Sequence, residues 1–408
     1  MTEQKPAEGI SLYAELLANI RQVSVGVSLP SFPDASTFAQ VLDGGRQLQV
    51  GHRGTVERLL LPAPVVVDAS ALAIPTSSTF ELRWRLPASE AHASALRVSP
   101  EDQAVPWNAK DIARGSPIGC RGCGSAVIQA GRIGTWKDLP SANWAEMMEF
   151  WHCHKPHDDA EHDDEALASR GYGANSAITA QPAVGFVDIT SLMFSESDCG
   201  NVVFSASLSS GRAASSSLAM GQEFSGKYLH VFCGTCEAEV GLYSTLAVAV
   251  TLFKWQVTCE TLTASNAPSG QECLASTLLS TISRSACAKS VVAPQVSDRS
   301  EDGRVLHLWV LNPSVLYTSS SLAGRRAGMK MLFREISAEE GNALVESMSS
   351  DVQDIGMPAK AIAEVRHALM STNRLLPTGE RTFKDWSAGL LERWRADTLD
   401  SRPDLRNA

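Results

Sequence analysis

No stretch of the chain approaches the roughly 20 consecutive apolar residues that a membrane-spanning helix needs, and there is no basic run. The first residues, MTEQKPAEGI, lack the charged-then-apolar order of a secretory leader. These absences exclude a helical membrane protein and predict a soluble one. With 35 Lys plus Arg against 45 Asp plus Glu the net charge is −10, the wrong sign for a surface that wraps a phosphate backbone, so partners are expected to be proteins or small ligands and not nucleic acid. Nine cysteines are an odd number for a disulfide framework, and two pairs of them carry metal spacing, which favours a reducing compartment, cytoplasm or nucleus.

Those two pairs are the centre of the sequence. In GCRGCGSAVI, Cys120 and Cys123 are placed to grip one ion, and in VFCGTCEAEVG, Cys233 and Cys236 repeat the spacing about 110 residues later. Each pair borders an apolar run and is followed by a glycine, Gly124 or Gly241. A tetrahedral Zn²⁺ takes four thiolates at about 2.3 Å, and a C-x-x-C turn offers two sulfurs with small residues that free backbone N–H groups to face them. Two such turns predict one closed structural zinc site. A redox-active pair is the competing reading, but thioredoxin-like motifs come singly inside a βαβ unit, a pattern that neither pair has.

At 408 residues and 44% hydrophobic the chain can bury a large core. Residues 11–30 change period midway: Leu12, Leu16 and Ile20 fit a helix, then Val23, Val25, Val27 and Leu29 alternate as a strand does, so the second half is expected to be a strand and the first half is left open. From 47 to 87 the period is two, with Phe80, Leu82, Trp84 and Leu86 on one face. SAVIQAGRI predicts a hairpin turning at Gly131. Ser141 or Asn143 can cap a helix whose stripe is Trp144, Met147, Met148 and Trp151, ending at Cys153 and His154. HDDAEHDDE opens a surface loop over 157–183, a solvated charge run in which His157 and His162 are further candidate ligands, as is Cys199 beyond it.

Strands then dominate to 258, a helix follows with Leu274, Leu278, Ile282 and Ala286 on one face, and strands return before SAEEGNALVESM, PAKAIAEVRHALMST and FKDWSAGLLERW, all helical in pattern. The expected class is α+β, mainly antiparallel sheet with a structural zinc joining two knuckle hairpins, and a helical C-terminal region. The expected division is a β-rich region 1–116, a knuckle region 117–260 and an α+β region 261–408, or one interwoven unit.

CRGCG, LPSANWAEMMEFWHCH, GFVD, HVFCGTCEAEVG, LFKW, then LLP followed by RTFKDWSAGLLERW, resemble in this order the HECT-like ubiquitin-conjugating-enzyme-binding family over most of the chain. The resemblance implies binding to a ubiquitin-conjugating enzyme and a proposed ubiquitin-ligase activity. It also implies a link to mRNA 3′-end processing through the endonuclease of the cleavage and polyadenylation machinery. A HECT ligase carries its acceptor cysteine near the C-terminus, whereas the 121 residues after Cys287 contain none. The interleaved eight-ligand spacing of a RING is absent too. The candidate catalytic pair is therefore Cys153 with His154 beside it, where His154 would lower the thiol pKa or act as base, although a helix C-terminus disfavours a thiolate. Cys153 as a zinc ligand, or as a buried thiol against Trp151, is the alternative, and with it a non-catalytic zinc-stabilised scaffold.

Overall fold

The computed structural model describes residues 9–67, 70–75, 79–89, 105–139, 179–206, 228–262, 267–295, 303–347 and 351–394. The Trp144–Trp151 stripe, Cys153, His154, His157 and His162 lie outside the described residues, as does most of the 157–183 stretch. The described chain falls into two compact units, one built from 9–89 with 274–394 and the other from 105–273.

The first unit opens with β1 (Ser11–Leu17), β2 (Gln22–Ser28), β3 (Phe38–Leu42), β4 (Gln47–His52), β5 (Thr55–Leu60), β6 (Ala71–Leu72) and β7 (Glu81–Pro87). β1 settles as a strand the half of 11–30 whose period left the element open. Leu12, Ala14 and Leu16 project to one side and Tyr13 and Glu15 to the other, and both sides are buried. Full antiparallel pairing with β2 on one edge and with a later strand on the other overrides the local 3.6-residue spacing. Ile20 is left 53% exposed in the connecting turn, where Arg21 takes φ 52°. The apolar faces of β1, β2 and β7 pack on those of β3, β4 and β5 in one core that includes Leu12, Val25, Leu82, Val41, Val50 and Leu59.

The second unit contains β8 (Ile118–Cys120), β9 (Ala126–Ile128), β10 (Thr135–Asp138), β11 (Val184–Val187), β12 (Ser191–Ser195), β13 (Val202–Ser205), β14 (Tyr228–Cys233), β15 (Glu239–Ser244), β16 (Ala249–Phe253) and β17 (Val257–Thr258). Seven strands form a sheet in the order β10-β11-β12-β16-β15-β14-β13, and β17-β8-β9 form a small second one. SAVIQAGRI does not fold back on itself. β9 pairs with β8, through Ile118↔Ile128 and Gly119↔Ala126, while Gly131 does turn the chain (φ 76°) and gives its N–H to Gly115 O at 2.8 Å. β10 then runs parallel to β11.

The chain returns to the first unit along α1 (Gly270–Ser285), followed by β18 (Lys289–Pro294), β19 (Arg304–Ser319), β20 (Arg326–Ser337), α2 (Ala338–Glu346), β21 (Val352–Met357), α3 (Ala359–Asn373), β22 (Thr382–Phe383) and β23 (Trp386–Glu392). Ser337 caps α2 as its position predicts, accepting from the Glu340 N–H. The last expected helix is instead the β22–β23 hairpin. β23 is buried on both faces because it pairs with β20 and lies under α3, so its run reads as continuously apolar. A Cβ on Gly389 would stand 2.9 Å from Leu369 O, so glycine is what lets α3 approach the strand. The antiparallel class with helices toward the C-terminus holds, with this final segment corrected.

Gly241 marks the tightest contact in the second unit. A Cβ there would lie 2.0 Å from Thr251 O on β16, between two strands that cannot separate without breaking their ladders. Gly241→Ala is expected to cost about 3 kcal/mol or more in urea unfolding, at or beyond the upper end of ordinary overpacking. A loss under about 1 kcal/mol would show that the sheet gives way there.

Candidate metal centre

β8 ends at Cys120 and β14 ends at Cys233, so each first cysteine is delivered by a strand and each second one by the turn after it. The two turns are near copies. Cys120 N–H donates to Ser125 O (2.8 Å) and Gly124 N–H to Cys120 O (2.8 Å). In the other knuckle Cys233 N–H donates to Ala238 O (2.8 Å) and Glu237 N–H to Cys233 O (2.9 Å). The matching fifth residues are both left-handed, Gly124 at φ 75° and Glu237 at φ 60°. The counterpart of Gly124 is thus Glu237 and not Gly241, whose role is strand packing. A glutamate bears a conformational cost at this position that glycine avoids.

The sulfurs converge. Cys120 Sγ lies 3.6 Å from Cys236 Sγ, Cys123 Sγ lies 3.7 Å from Cys233 Sγ, and all four are within 4.8 Å of one another. A tetrahedron with bonds of about 2.3 Å has edges of about 3.8 Å, so the group fits one tetrahedral thiolate-bound ion. The four cysteines could hold a metal ion, and no other such group occurs among the described residues. Cys120 and Cys233 are buried whereas Cys123 and Cys236 are exposed, so each knuckle gives one dry and one wet sulfur. Burial pushes the Cys120 thiol up to about 12, against hydrogen bonds from the Cys123 and Gly122 N–H groups. Cys123 is held down at about 6, first by the Ser125 hydroxyl and then by the Ser125 N–H. A divalent cation among the four would remove the penalty at Cys120, because a coordinated thiol is deprotonated outright.

The LFKW segment braces the first knuckle. Val257 pairs with Cys120, Arg121 N–H donates to Gln256 O (2.9 Å), and the Arg121 guanidinium donates to Trp255 O (3.2 Å) and Pro268 O (2.9 Å). Within it Lys254 is wholly buried, with Nζ 2.5 Å from Pro106 O. Burial lowers its pKa from 10.5 to about 8, and Cys273, Asp188, Asp138 and Cys259 offset only part of that. Sequence reasoning passed over this lysine, since nothing in the spacing says that an ammonium lies inside.

The remaining described cysteines stand apart from the cluster. Burial pushes Cys199, Cys259 and Cys273 each up to about 12. Cys199 Sγ faces Ser195 O at 3.6 Å and joins no group of ligands among the described residues, and the buried Cys287 directs its thiol at Lys289 O and Asp351 O. The candidate catalytic residues Cys153 and His154 lie outside the described residues.

The family model described as HECT-like ubiquitin-conjugating enzyme (E2)-binding matches residues 15–388. The chain belongs to this family. The matched residues include both knuckles, LFKW and the β22–β23 hairpin as far as Ala388. It is similar to an uncharacterized protein of Schizosaccharomyces pombe, 50% identical over 54 residues, which is 12% of this chain and 15% of that one. It is also similar to an uncharacterized protein of Saccharomyces cerevisiae, 26% identical over 141 residues, 30% of this chain and 40% of the relative. The matches thus span well under half the length of either relative. No solved structure matches. No helix among the described residues is long and apolar enough to cross a membrane.

Cys120→Ser or Cys233→Ser is expected to cost about 1–3 kcal/mol more in urea unfolding than Cys123→Ser or Cys236→Ser. The buried hydroxyl adds its own desolvation penalty to the lost ligand. Equal losses at all four positions would contradict this. Lys254 gives a pH signature. Its folded pKa lies below its unfolded one, so between about 8 and 10.5 the unfolded chain holds the extra proton, and this residue's contribution to stability rises with pH across that window. The difference in unfolding free energy between the parent and Lys254→Met is expected to shift in the parent's favour over that window, and a pH-independent difference would refute it.

Proposed function

We propose that this chain binds a ubiquitin-conjugating enzyme as a zinc-stapled β-sheet protein of the cytoplasm or nucleus, and that it does so without a thioester stage of its own. The family match across 15–388 carries the binding half of this reading. The four-sulfur geometry supports zinc, the ion that soft tetrahedral thiolate sites select. Zinc held by Cys120, Cys123, Cys233 and Cys236 supplies a rigid cross-link, with no open coordination position for catalysis.

Among the described residues the state of the thiols offers no relay. A thioester acceptor must be an accessible thiolate, and Cys199, Cys259 and Cys273 are held protonated by burial while Cys287 is enclosed. Ligase chemistry through a thioester would fall to Cys153 with His154. A scaffold needs no reactive thiol; the second reading is stabilisation of a client such as the endonuclease of the mRNA 3′-end processing machinery.

Calorimetry against a panel of ubiquitin-conjugating enzymes is expected to find a partner with Kd near the micromolar range of transient signalling contacts. Charging reactions run on non-reducing gels are expected to show no thiol-sensitive ubiquitin adduct, and Cys153→Ala is expected to leave binding intact. An adduct lost on Cys153→Ala would make the ligase reading the better one, and failure to bind any conjugating enzyme would remove the proposal altogether.

A further inference from the structure

Two C-x-x-C turns from opposite ends of a 110-residue interval need something to hold them at sulfur-contact distance. One short segment, Asp198 to Val202, contacts both. On the side of the first knuckle, Gly200 N–H donates to Val127 O of β9 at 2.8 Å, and Arg132, just beyond β9, donates from Nε to Asp198 Oδ1 at 2.8 Å. The Asp198 side chain is fully buried, and its other oxygen accepts from Ala183 N–H at 2.7 Å. On the side of the second knuckle, Val202 pairs with Cys233, Gly234 N–H donates to Asn201 O at 2.8 Å, and Asn201 Nδ2 donates to Thr235 Oγ1 at 3.0 Å. Gly234 and Thr235 are the two residues between the cysteines of that knuckle.

Asn201 does this from a left-handed backbone, φ 53°, a region that asparagine tolerates better than most residues. Its fit against the knuckle is close. A Cβ on Gly234 would stand 2.7 Å from Asn201 Oδ1 and 3.2 Å from Asn201 O. The glycine of CGTC therefore leaves room for its neighbour across the turn.

We propose that Asn201 is a positioning residue for the metal centre: with Gly200 and Asp198 it forms a strut that sets the distance between the two knuckles before any ion arrives. The proposal rests on the metal reading of the four cysteines. Its consequence is that the ion meets a prearranged frame. Disturbing the strut should weaken metal binding and distort the ligand tetrahedron while leaving the metal-free fold nearly unchanged. A segment that merely completed the fold would do the reverse.

The test uses the full chain, loaded with Zn²⁺ or Co²⁺ or stripped with a chelator, as parent, Asn201→Gly, Gly234→Ala and the double variant. Glycine keeps the left-handed backbone and the Asn201 carbonyl but removes the side chain from Thr235. Loss of such an outer contact is expected to lower zinc affinity about 10–100-fold in competition with a chromophoric chelator. The Co²⁺ absorption should move away from that of the parent tetrahedral site, and the metal-stripped protein should melt like the stripped parent. Gly234→Ala is expected to lose more affinity, and the double variant less than the two single losses added, because Asn201→Gly removes the oxygen that the new methyl meets. Should Gly234→Ala fail to fold, the Asn201→Gly affinity and Co²⁺ spectrum decide alone. Parent-like affinity and spectrum for Asn201→Gly, or a fall in stripped stability as large as in the loaded protein, would overturn the strut. A parent chain that binds neither metal would overturn the metal reading and this proposal with it.

Discussion

Four sulfur atoms within 4.8 Å of one another, carried by segments more than 100 residues apart, constrain the rest of the second unit. The first sulfur of each pair is fixed by strand register. Cys120 is paired to Val257 and Cys233 to Val202, so a slip of one residue in either ladder would turn a ligand to the opposite face. The route between the knuckles is short in space despite its length in sequence. β14 pairs with β15 and β15 with β16, and the chain leaving β16 becomes β17 and reaches β8. The LFKW segment occupies that last step, which accounts for Arg121 reaching back to Trp255 and Gln256.

The cysteine pairs were legible in the sequence because their chemistry depends on local spacing, and so were the period-two strands and the Ser337 cap. Two segments were ambiguous or misread for one reason, burial on two sides: β1, where the period left the element open, and β23, read as a helix. β1 and β23 carry apolar side chains on successive positions, since each is covered on both faces, and a continuous run holds helical and strand periods alike. Gly131 was read correctly as a turn and wrongly as a hairpin, because the partner of β9 precedes it. Glu237 was invisible as the equivalent of Gly124, since its left-handed backbone is imposed by the knuckle against the residue's own preference. Asn201 and Lys254 carry no local signature at all; their importance comes from neighbours 34 and 148 residues away.

The distribution of thiols bears on function through the same geometry. A chain of this family could relay ubiquitin only through an exposed, ionised cysteine. Among the described residues the exposed cysteines are Cys123 and Cys236 of the four-sulfur group, and burial holds the Cys199, Cys259 and Cys273 thiols neutral. Metal binding and nucleophilic chemistry would thus compete for the same sulfurs, since the exposed pair lies within the group that could hold an ion. Binding a conjugating enzyme, in contrast, asks only for a surface of fixed shape, which a cross-linked sheet provides.

How much an ion adds to such a sheet depends on what is already closed without it. In the unfolded chain, a cross-link spanning a loop of about 100 residues is worth roughly 4–5 kcal/mol of chain entropy, against about 3 for a loop of 15. The length of the interval therefore matters little by itself. In the folded unit the Gly200 to Val127 and Gly234 to Asn201 hydrogen bonds bring the knuckles together independently of the sulfurs. With the frame already closed, the free energy of binding an ion there would be set by the local bonds of four thiolates to it and by relief of the burial penalty at Cys120. On this reading an ion and the strut would act on different states: the ion would weight the folded form against the open chain, and the strut would set the geometry that the ion encounters.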